Sequence, residues 1–316
     1  MKSTPQAARK LLHLFASGLI VAAIASSFIY LRSVFNQEVS LRRSFMNEAV
    51  FNAQDFFVSR QTLLKSLVLA TVPDKKGNEA FVSVDPEEEL NINLGSEAGH
   101  WSLWLTRRMT DYLHESKVNL LYVPQTDKPK VVRLFDASGS LEPLPQVVLQ
   151  RLVDEGAKAY SFGDDLWLTD NRVLDSPFYL FSRLDNRNLS SGWLGIEVEV
   201  PDLVEALRSE SAGDFMLLNG QGQILFTNAA QSTLVNSLQT LEPKNSFGFI
   251  GSGWLPDSLA IRKKLGYSGW QIVYAVDIKS LLPVLGGPLL GCVLLFIAIC
   301  IGLRLLIVRI DRRLIT

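Results

Sequence analysis

Asp214-Phe215-Met216-Leu217-Leu218-Asn219-Gly220-Gln221-Gly222-Gln223-Ile224-Leu225-Phe226-Thr227 is the stretch on which the fold turns. Two apolar runs flank Asn219-Gly220-Gln221-Gly222, the residue types a tight turn demands, so it reads as a β-hairpin. Downstream, residues 247–250, 258–264 and 270–276 have the apolar, β-branched and aromatic content of strands and complete a second strand group. Upstream, residues 118–123, 131–135, 166–169, 179–183 and 193–200 predict a first group, interrupted by a helix over 145–155. A short helix over 201–209, with Pro201 in its first turn, joins the two.

Further upstream, Trp101, Trp104, Leu105, Met109, Tyr112 and Leu113 recur at helical spacing and predict one helix over 101–116. The run Asp85-Pro86-Glu87-Glu88-Glu89 has helix-start chemistry, and Pro73-Asp74-Lys75-Lys76-Gly77-Asn78 reads as a turn. Residues 33–70 contain neither Pro nor Gly, and Leu41, Phe45, Ala49, Phe56, Leu63 and Leu67 follow a 3-4 alternation. That pattern predicts one long helix ending before Pro73. Its stripe, with Asn52 in it, suits packing on its own domain and equally a dimer seam.

Two apolar spans bracket all of this, residues 11–31 and 283–304. Each is about 20 residues, the length that crosses a bilayer's hydrocarbon core. Lys2, Arg9 and Lys10 precede the first span, and Arg304, Arg309, Arg312 and Arg313 follow or end the second, against Asp311 alone. Short basic flanks stay cytoplasmic, so both termini are expected inside and the middle outside the bacterial inner membrane. A cleaved signal peptide ending near Ala23-Ile24-Ala25 is the competing reading of the first span. Against it, the apolar run continues through Phe28, Ile29, Tyr30 and Leu31.

The two cysteines, Cys292 and Cys300, both fall in the second span, so the central region needs no disulfide and offers no Cys-based metal site. A net charge of −1, without clustered Lys and Arg in the central region, argues against nucleic acid as a partner. His13, His100 and His114 have no metal-pair spacing, and neither G-x-S-x-G nor a phosphate-cradling loop occurs. Asp164, Asp165, Asp170, Asp175 and Asp185 lack the alternation of an EF-type calcium loop and read as solvated turns. Asn188-Leu189-Ser190 has the form of a glycosylation site but reads as a chance match. No catalytic residue, metal or cofactor is expected. The candidate ligand contacts are Trp167, Asp170, Arg172, Tyr179 and Arg183, which mix aromatic faces and charges around two adjacent predicted strands. Alternation on strands supplies a plainer reading, with Trp167 and Tyr179 in the core and the charges outside.

The hairpin at 215–225, Gly192-Trp193-Leu194-Gly195-Ile196-Glu197-Val198 and Gly269-Trp270-Gln271-Ile272-Val273-Tyr274-Ala275-Val276 together resemble the double-Cache (PDC-type) extracellular sensor fold. Ile272-Val273-Tyr274-Ala275-Val276 and the basic Arg312-Arg313-Leu314-Ile315 are similar to the input region of RcsC-like hybrid sensor histidine kinases. The resemblance implies an α+β fold with two tandem PAS-like (double-Cache) units after a long N-terminal helix, flanked by two transmembrane helices. It places a cytoplasmic tail at 1–10, transmembrane helix 1 at 11–31, a periplasmic helix at 32–72 and a membrane-distal unit at 73–209. A membrane-proximal unit at 210–282, transmembrane helix 2 at 283–304 and a basic cytoplasmic tail at 305–316 follow.

The function implied is that of a periplasmic input module of a two-component phosphorelay, working as a homodimer with an unidentified periplasmic ligand or envelope protein. No phospho-accepting histidine box, ATP-binding lobe or receiver aspartate lies in these residues, so kinase catalysis is not expected of them. The double-Cache amino-acid-binding pattern is not recognisable either. A polysaccharide chain-length regulator is the alternative, since Pro283, Gly286, Gly287 and Pro288 at the second span echo that family. Such proteins, however, run a very long helix into the second span, where this chain predicts strands.

Overall fold

The computed structural model of the chain describes residues 5–74, 81–84, 90–96, 99–125, 129–137, 143–156, 165–170, 172–173, 176–185, 191–207, 213–228, 247–251, 256–265 and 269–315. The acidic run at 85–89, most of the turn at 73–78, the sequon at 188–190, Asp164 and Asp175 lie outside them.

Helix α1 (Pro5–Ala70) is a single helix of 66 residues containing the first apolar span. It stops where Thr71 turns both its amide (3.2 Å) and its hydroxyl (2.6 Å) onto the Val68 carbonyl, two residues before Pro73. The periodic stripe is directed toward the protein's own core, where Ala49 and Leu67 are buried and Phe45, Asn52, Phe56 and Leu63 half-buried. Leu41 alone in that set is exposed.

Four short strands follow: β1 (Val72–Asp74), β2 (Phe81–Val84), β3 (Leu90–Ser96) and β4 (Gly99–Leu105). They form an antiparallel sheet in the order β1-β4-β3-β2. Here the structure corrects the helix expected over 101–116. Trp101, Leu103 and Leu105 are buried at period two, opposite Leu94, Ile92 and Leu90 of β3, so these residues are strand. A five-residue run carries too little periodicity to tell the two apart, and pairing with β3 decides it. Only after Thr106, with extended backbone, does helix α2 (Arg107–Glu115) begin.

The rest is two five-stranded antiparallel sheets. The first comprises β5 (Asn119–Val123), β6 (Val132–Phe135), β7 (Leu166–Thr169), β8 (Phe178–Arg183) and β9 (Trp193–Val198), with helix α3 (Gln146–Gly156) between β6 and β7. Helix α4 (Val200–Leu207) leads to β10 (Asp214–Leu218), β11 (Ile224–Thr227), β12 (Phe247–Ile250), β13 (Ser258–Leu265) and β14 (Trp270–Asp277). The orders are β6-β5-β9-β8-β7 and β11-β10-β14-β13-β12. Counted from its own first strand, each sheet therefore runs second, first, fifth, fourth, third. The fold is α+β, with the PAS-like arrangement occurring twice.

The hairpin between β10 and β11 closes as its sequence demands. Asn219 Oδ1 accepts from the amides of Gln221 and Gln223, both at 2.9 Å, and Gly222 takes φ +82°, open to glycine at little cost. After β14, Asp277 caps a 3-10 turn (Ile278–Leu281) by accepting from the Lys279 amide at 2.8 Å. Helix α5 (Leu282–Ile315) follows and carries the second apolar span.

By compactness the chain divides in two. One unit comprises residues 46–248 and 260–275, and the other 1–45, 249–259 and 276–316. The first holds most of the core. In the second, Phe35 stacks on Phe249 at 6.2 Å, and both apolar helices are long and apolar enough to cross a membrane. Their surfaces are apolar and exposed, with Leu14, Phe15, Phe28 and Ile29 on α1 and Leu289, Leu290 and Leu294 on α5. Such surfaces suit lipid as the surrounding medium.

Candidate functional site

All six residues of β8 and all six of β9 are buried, so the first sheet is covered on both faces. Strand pairing sorts the side chains. Leu168, Tyr179 and Glu197 align across β7, β8 and β9, and Asn119 of β5 aligns with Glu197. Trp167, Leu180, Ile196 and Leu120 align on the opposite face.

The first face packs against α3. Leu121, Val123, Leu168, Tyr179, Phe181 and Trp193 form one cluster with Val148 and Leu152 of that helix. A methyl group on Gly195 would fall inside the Phe181 ring, so this glycine lets the ring lie flat against β9. Within the apolar cover sits a polar network centred on Glu197. Its Oε2 accepts from Asn119 Nδ2 at 3.0 Å and from Arg133 Nη1 at 2.8 Å, and the Tyr179 hydroxyl bonds to the same carboxylate. Asn119 Oδ1 in turn accepts from the Ala137 amide at 2.8 Å. Asn119 and Glu197 are buried, while about a fifth of the Arg133 side chain remains accessible (21% exposed).

Burial pushes the Tyr179 phenol far above its ordinary range, and the neighbouring Glu197 and Glu199 add to the shift. Burial would pull the Arg133 guanidinium down, but its hydrogen bond and charge contact with Glu197, with Asp136 nearby, leave it raised. This face therefore holds a charged, hydrogen-bonded centre beneath one helix. It has the polarity to read a small polar ligand or to lock the sheet against α3.

The opposite face is aromatic. Trp167 meets Phe57 of α1 edge-on at 4.8 Å and Trp270 of β14 at 5.8 Å. Phe57 lies 5.9 Å and Phe178 5.4 Å from Trp270. Four rings thus join α1, the first sheet and the last strand. Beside them, Lys65 of α1 pairs at 3.2 Å with the fully buried carboxylate of Asp165.

The five sequence-selected residues occupy three places. Trp167 belongs to the aromatic joint. Tyr179 and Arg183 share the α3 face, where Arg183 lies over the Trp193 ring at 4.5 Å. Asp170 and Arg172 pair with each other after β7. The Asp170 carboxylate accepts from the Arg172 amide at 3.0 Å and its guanidinium at 3.1 and 3.3 Å, which holds the carboxyl below its ordinary range and the guanidinium above. Tyr179 and Arg183 share one face of β8 but stand four residues apart with Phe181 between them, and Trp167 lies on the opposite face of the sheet. Asp165 and Asp170 are buried ion-pair members, which corrects their reading as solvated turns. Asn119, Arg133 and Glu197 were not selected from sequence. The available signal was a polar residue inside each of two otherwise apolar strands, Asn119-Leu120-Leu121-Tyr122-Val123 and Trp193-Leu194-Gly195-Ile196-Glu197-Val198. Among the described residues no group of three or more His, Cys, Asp or Glu side chains is placed to hold a metal.

No family model matches the sequence, and no curated protein matches it. Solved structures do. The ligand-binding domain of the Campylobacter jejuni chemoreceptor Tlp3 in complex with L-valine aligns at a TM-score of 0.48 and 12% identity, over 79% of this chain and 96% of that one. The ligand-binding domain of the Pseudomonas aeruginosa PAO1 chemoreceptor PctB in complex with L-Arg gives 0.44 and 14%, over 78% and 97%. That of the Pseudomonas fluorescens chemoreceptor CtaA in complex with L-alanine gives 0.45 and 14%, over 76% and 97%.

Proposed function

We propose that this chain is the periplasmic input module of a two-pass inner-membrane receptor, both termini cytoplasmic, which signals through a two-component phosphorelay of the hybrid sensor kinase type. The observation that carries it is the chain continuity at each end of the aromatic joint. Phe57 stands on a helix that runs unbroken back through the first apolar span, and Trp270 on the strand followed, after one 3-10 turn, by the second. A stimulus that changes the packing of Phe57, Trp167 and Trp270 thereby acts on both membrane segments at once. It biases output only by its differential affinity for the two packings. The module itself performs no chemistry in this reading. Pairing of two copies would use the outward side of α1, where Phe51, Val58 and Leu69 are exposed, because the Ala49 and Leu67 side is occupied.

The test is a chimera in which residues 1–316 drive the cytoplasmic core of a heterologous sensor kinase. Output that changes on envelope perturbation, and that Trp270→Ala locks at one level, is expected. Output constant across every perturbation would overturn the proposal. A cysteine at Val58, in a chain with Cys292→Ala and Cys300→Ala, should cross-link two copies in intact membranes, and failure to do so removes the dimer.

A further inference from the structure

In the unit that holds residues 1–45 and 276–316, a groove of about 400 Å³ runs between α1 and α5. His13, Ser17 and Ile20 of α1 line it, with Cys300, Arg304 and Ile307 of α5. Each set has the i, i+4, i+7 spacing of one helix face, so the two faces meet along the groove. His13 and Arg304 stand within a turn of the end of their apolar spans, 11–31 and 283–304, in each case the end next to a chain terminus. Folding therefore brings two N–H-bearing side chains from opposite ends of the sequence to one membrane boundary. Both are exposed, and Arg304 has no ion-pair partner among the described residues. The Ser17 hydroxyl is spent on the Leu14 carbonyl at 2.9 Å. On the side away from the termini, a second groove of about 850 Å³ continues between the same helices, past the small side chains of Ala23 and Ser27 and past Gly291.

The lining restricts the occupant. It contains no Asp or Glu. Residues 1–37 contain none either, and Asp311 stands seven residues beyond Arg304, about 10 Å of helix rise. Lys10, one turn before His13, and Arg309 add positive charge at the same end. The charge therefore favours an anion, and a guanidinium beside a ring N–H matches a phosphate diester. Ile20, Leu303, Ile307 and Val308 give the groove apolar walls, so the anion that suits it is one attached to hydrocarbon. A choline or ethanolamine headgroup would bring an ammonium to a place without a counter-charge. We propose that the groove holds one anionic phospholipid, such as phosphatidylglycerol, from the leaflet on the side of the chain termini. Its phosphate sits on Arg304 and His13, and one acyl chain lies in the deeper groove. Basic clefts between membrane helices take phosphate headgroups by the same chemistry. The site rests on the two-pass topology proposed above and does not depend on phosphorelay signalling.

The full chain in non-ionic detergent is offered equimolar phosphatidylglycerol and phosphatidylcholine and read by native mass spectrometry. One phosphatidylglycerol should be retained in preference. Arg304→Gln should weaken its binding about fivefold, the worth of one cation near an anionic surface, and Arg309→Gln, outside the groove, by less. Equal losses in the two variants would mean diffuse attraction by snorkelling cations and overturn the site. Both side chains are exposed, so neither variant puts the fold at risk. Cys300→Phe, which fills the groove and keeps every charge, should also lower retention, and unchanged retention refutes the placement. Glycerol phosphate at the same concentration should leave the lipid in place; displacement would mean a bare anion site and refute the acyl-chain contact. A second copy is the rival occupant, and a Cys300–Cys300 cross-link in membranes of a Cys292→Ala chain would put it there in place of the lipid. Release of the chain from membranes by an alkaline wash would overturn the two-pass topology and the site with it. A chain that stays in the membrane but shows no lipid preference overturns the site alone.

Discussion

Replacing Glu197 with leucine removes the acceptor shared by Asn119 (3.0 Å), Arg133 (2.8 Å) and the Tyr179 hydroxyl, and leaves all three donors on a covered sheet face. Breaking a buried ion pair costs about 3–5 kcal/mol, because the surviving charge keeps its desolvation penalty. The Arg133 side chain is 21% exposed, so water recovers part of that loss. A net destabilisation of about 2–4 kcal/mol follows. For a folded region of this size it corresponds to a fall in Tm of about 5–12 °C. Urea unfolding of the full chain in nanodiscs, followed by tryptophan fluorescence, reads the change, since Trp193 lies on the same strand as Glu197. The decisive control is the double variant Arg133→Leu/Glu197→Leu. Removing both charges together should recover at least half of the loss, because the penalty belongs to an unpaired charge rather than to a missing contact. A loss below about 1 kcal/mol in Glu197→Leu, or a double variant equal to the sum of its singles, would refute the reasoning.

Other consequences are as direct. Gly195→Ala should cost about 1–3 kcal/mol by overpacking against the Phe181 ring, and Phe181→Leu in the same chain should relieve part of it in the same urea assay. Phe57→Ala should cost about 3–5 kcal/mol. In a double-mutant cycle with Trp167→Ala it should show a coupling of about 0.5–1.5 kcal/mol, whereas additivity would dissolve the aromatic joint. The depressed Asp170 carboxyl gives a stabilisation that is complete above the ordinary carboxylate range and lost as pH falls through its lowered folded value. Thermal melts of Asp170→Asn should therefore lack a component of the wild-type slope below about pH 4. The effect is small, since its partner Arg172 is largely exposed.

Much of the fold is written in local chemistry. The hairpin at Asn219–Gly222 is set by one Asx side chain and one left-handed glycine, and the 33–70 part of the long helix by a run free of Pro and Gly. The candidate site is less legible. Asp165 and Asp170 sit in polar-looking segments, yet their burial and pairing with Lys65 and Arg172 depend on which elements pack beside them.

The sequence by itself determined the two apolar spans, the helix that leaves the first of them, and nearly every strand of the two five-stranded sheets. Each rests on a period or turn that a dozen neighbouring residues suffice to express. Tertiary structure alone decided β4, where Trp101 to Leu105 becomes strand because β3 lies beside it. It also decided the face of Trp167. β7 ends at Thr169 and β8 begins at Phe178, too far apart in sequence for a two-residue hairpin loop to set their register. Only the pairing of Leu168 with Tyr179 sends Trp167 to the far side of the sheet. The Glu197 network has the same origin, since Asn119, Arg133, Tyr179 and Glu197 come from four strands and meet only when those strands are ordered. Distance along the chain hides what strand order brings together.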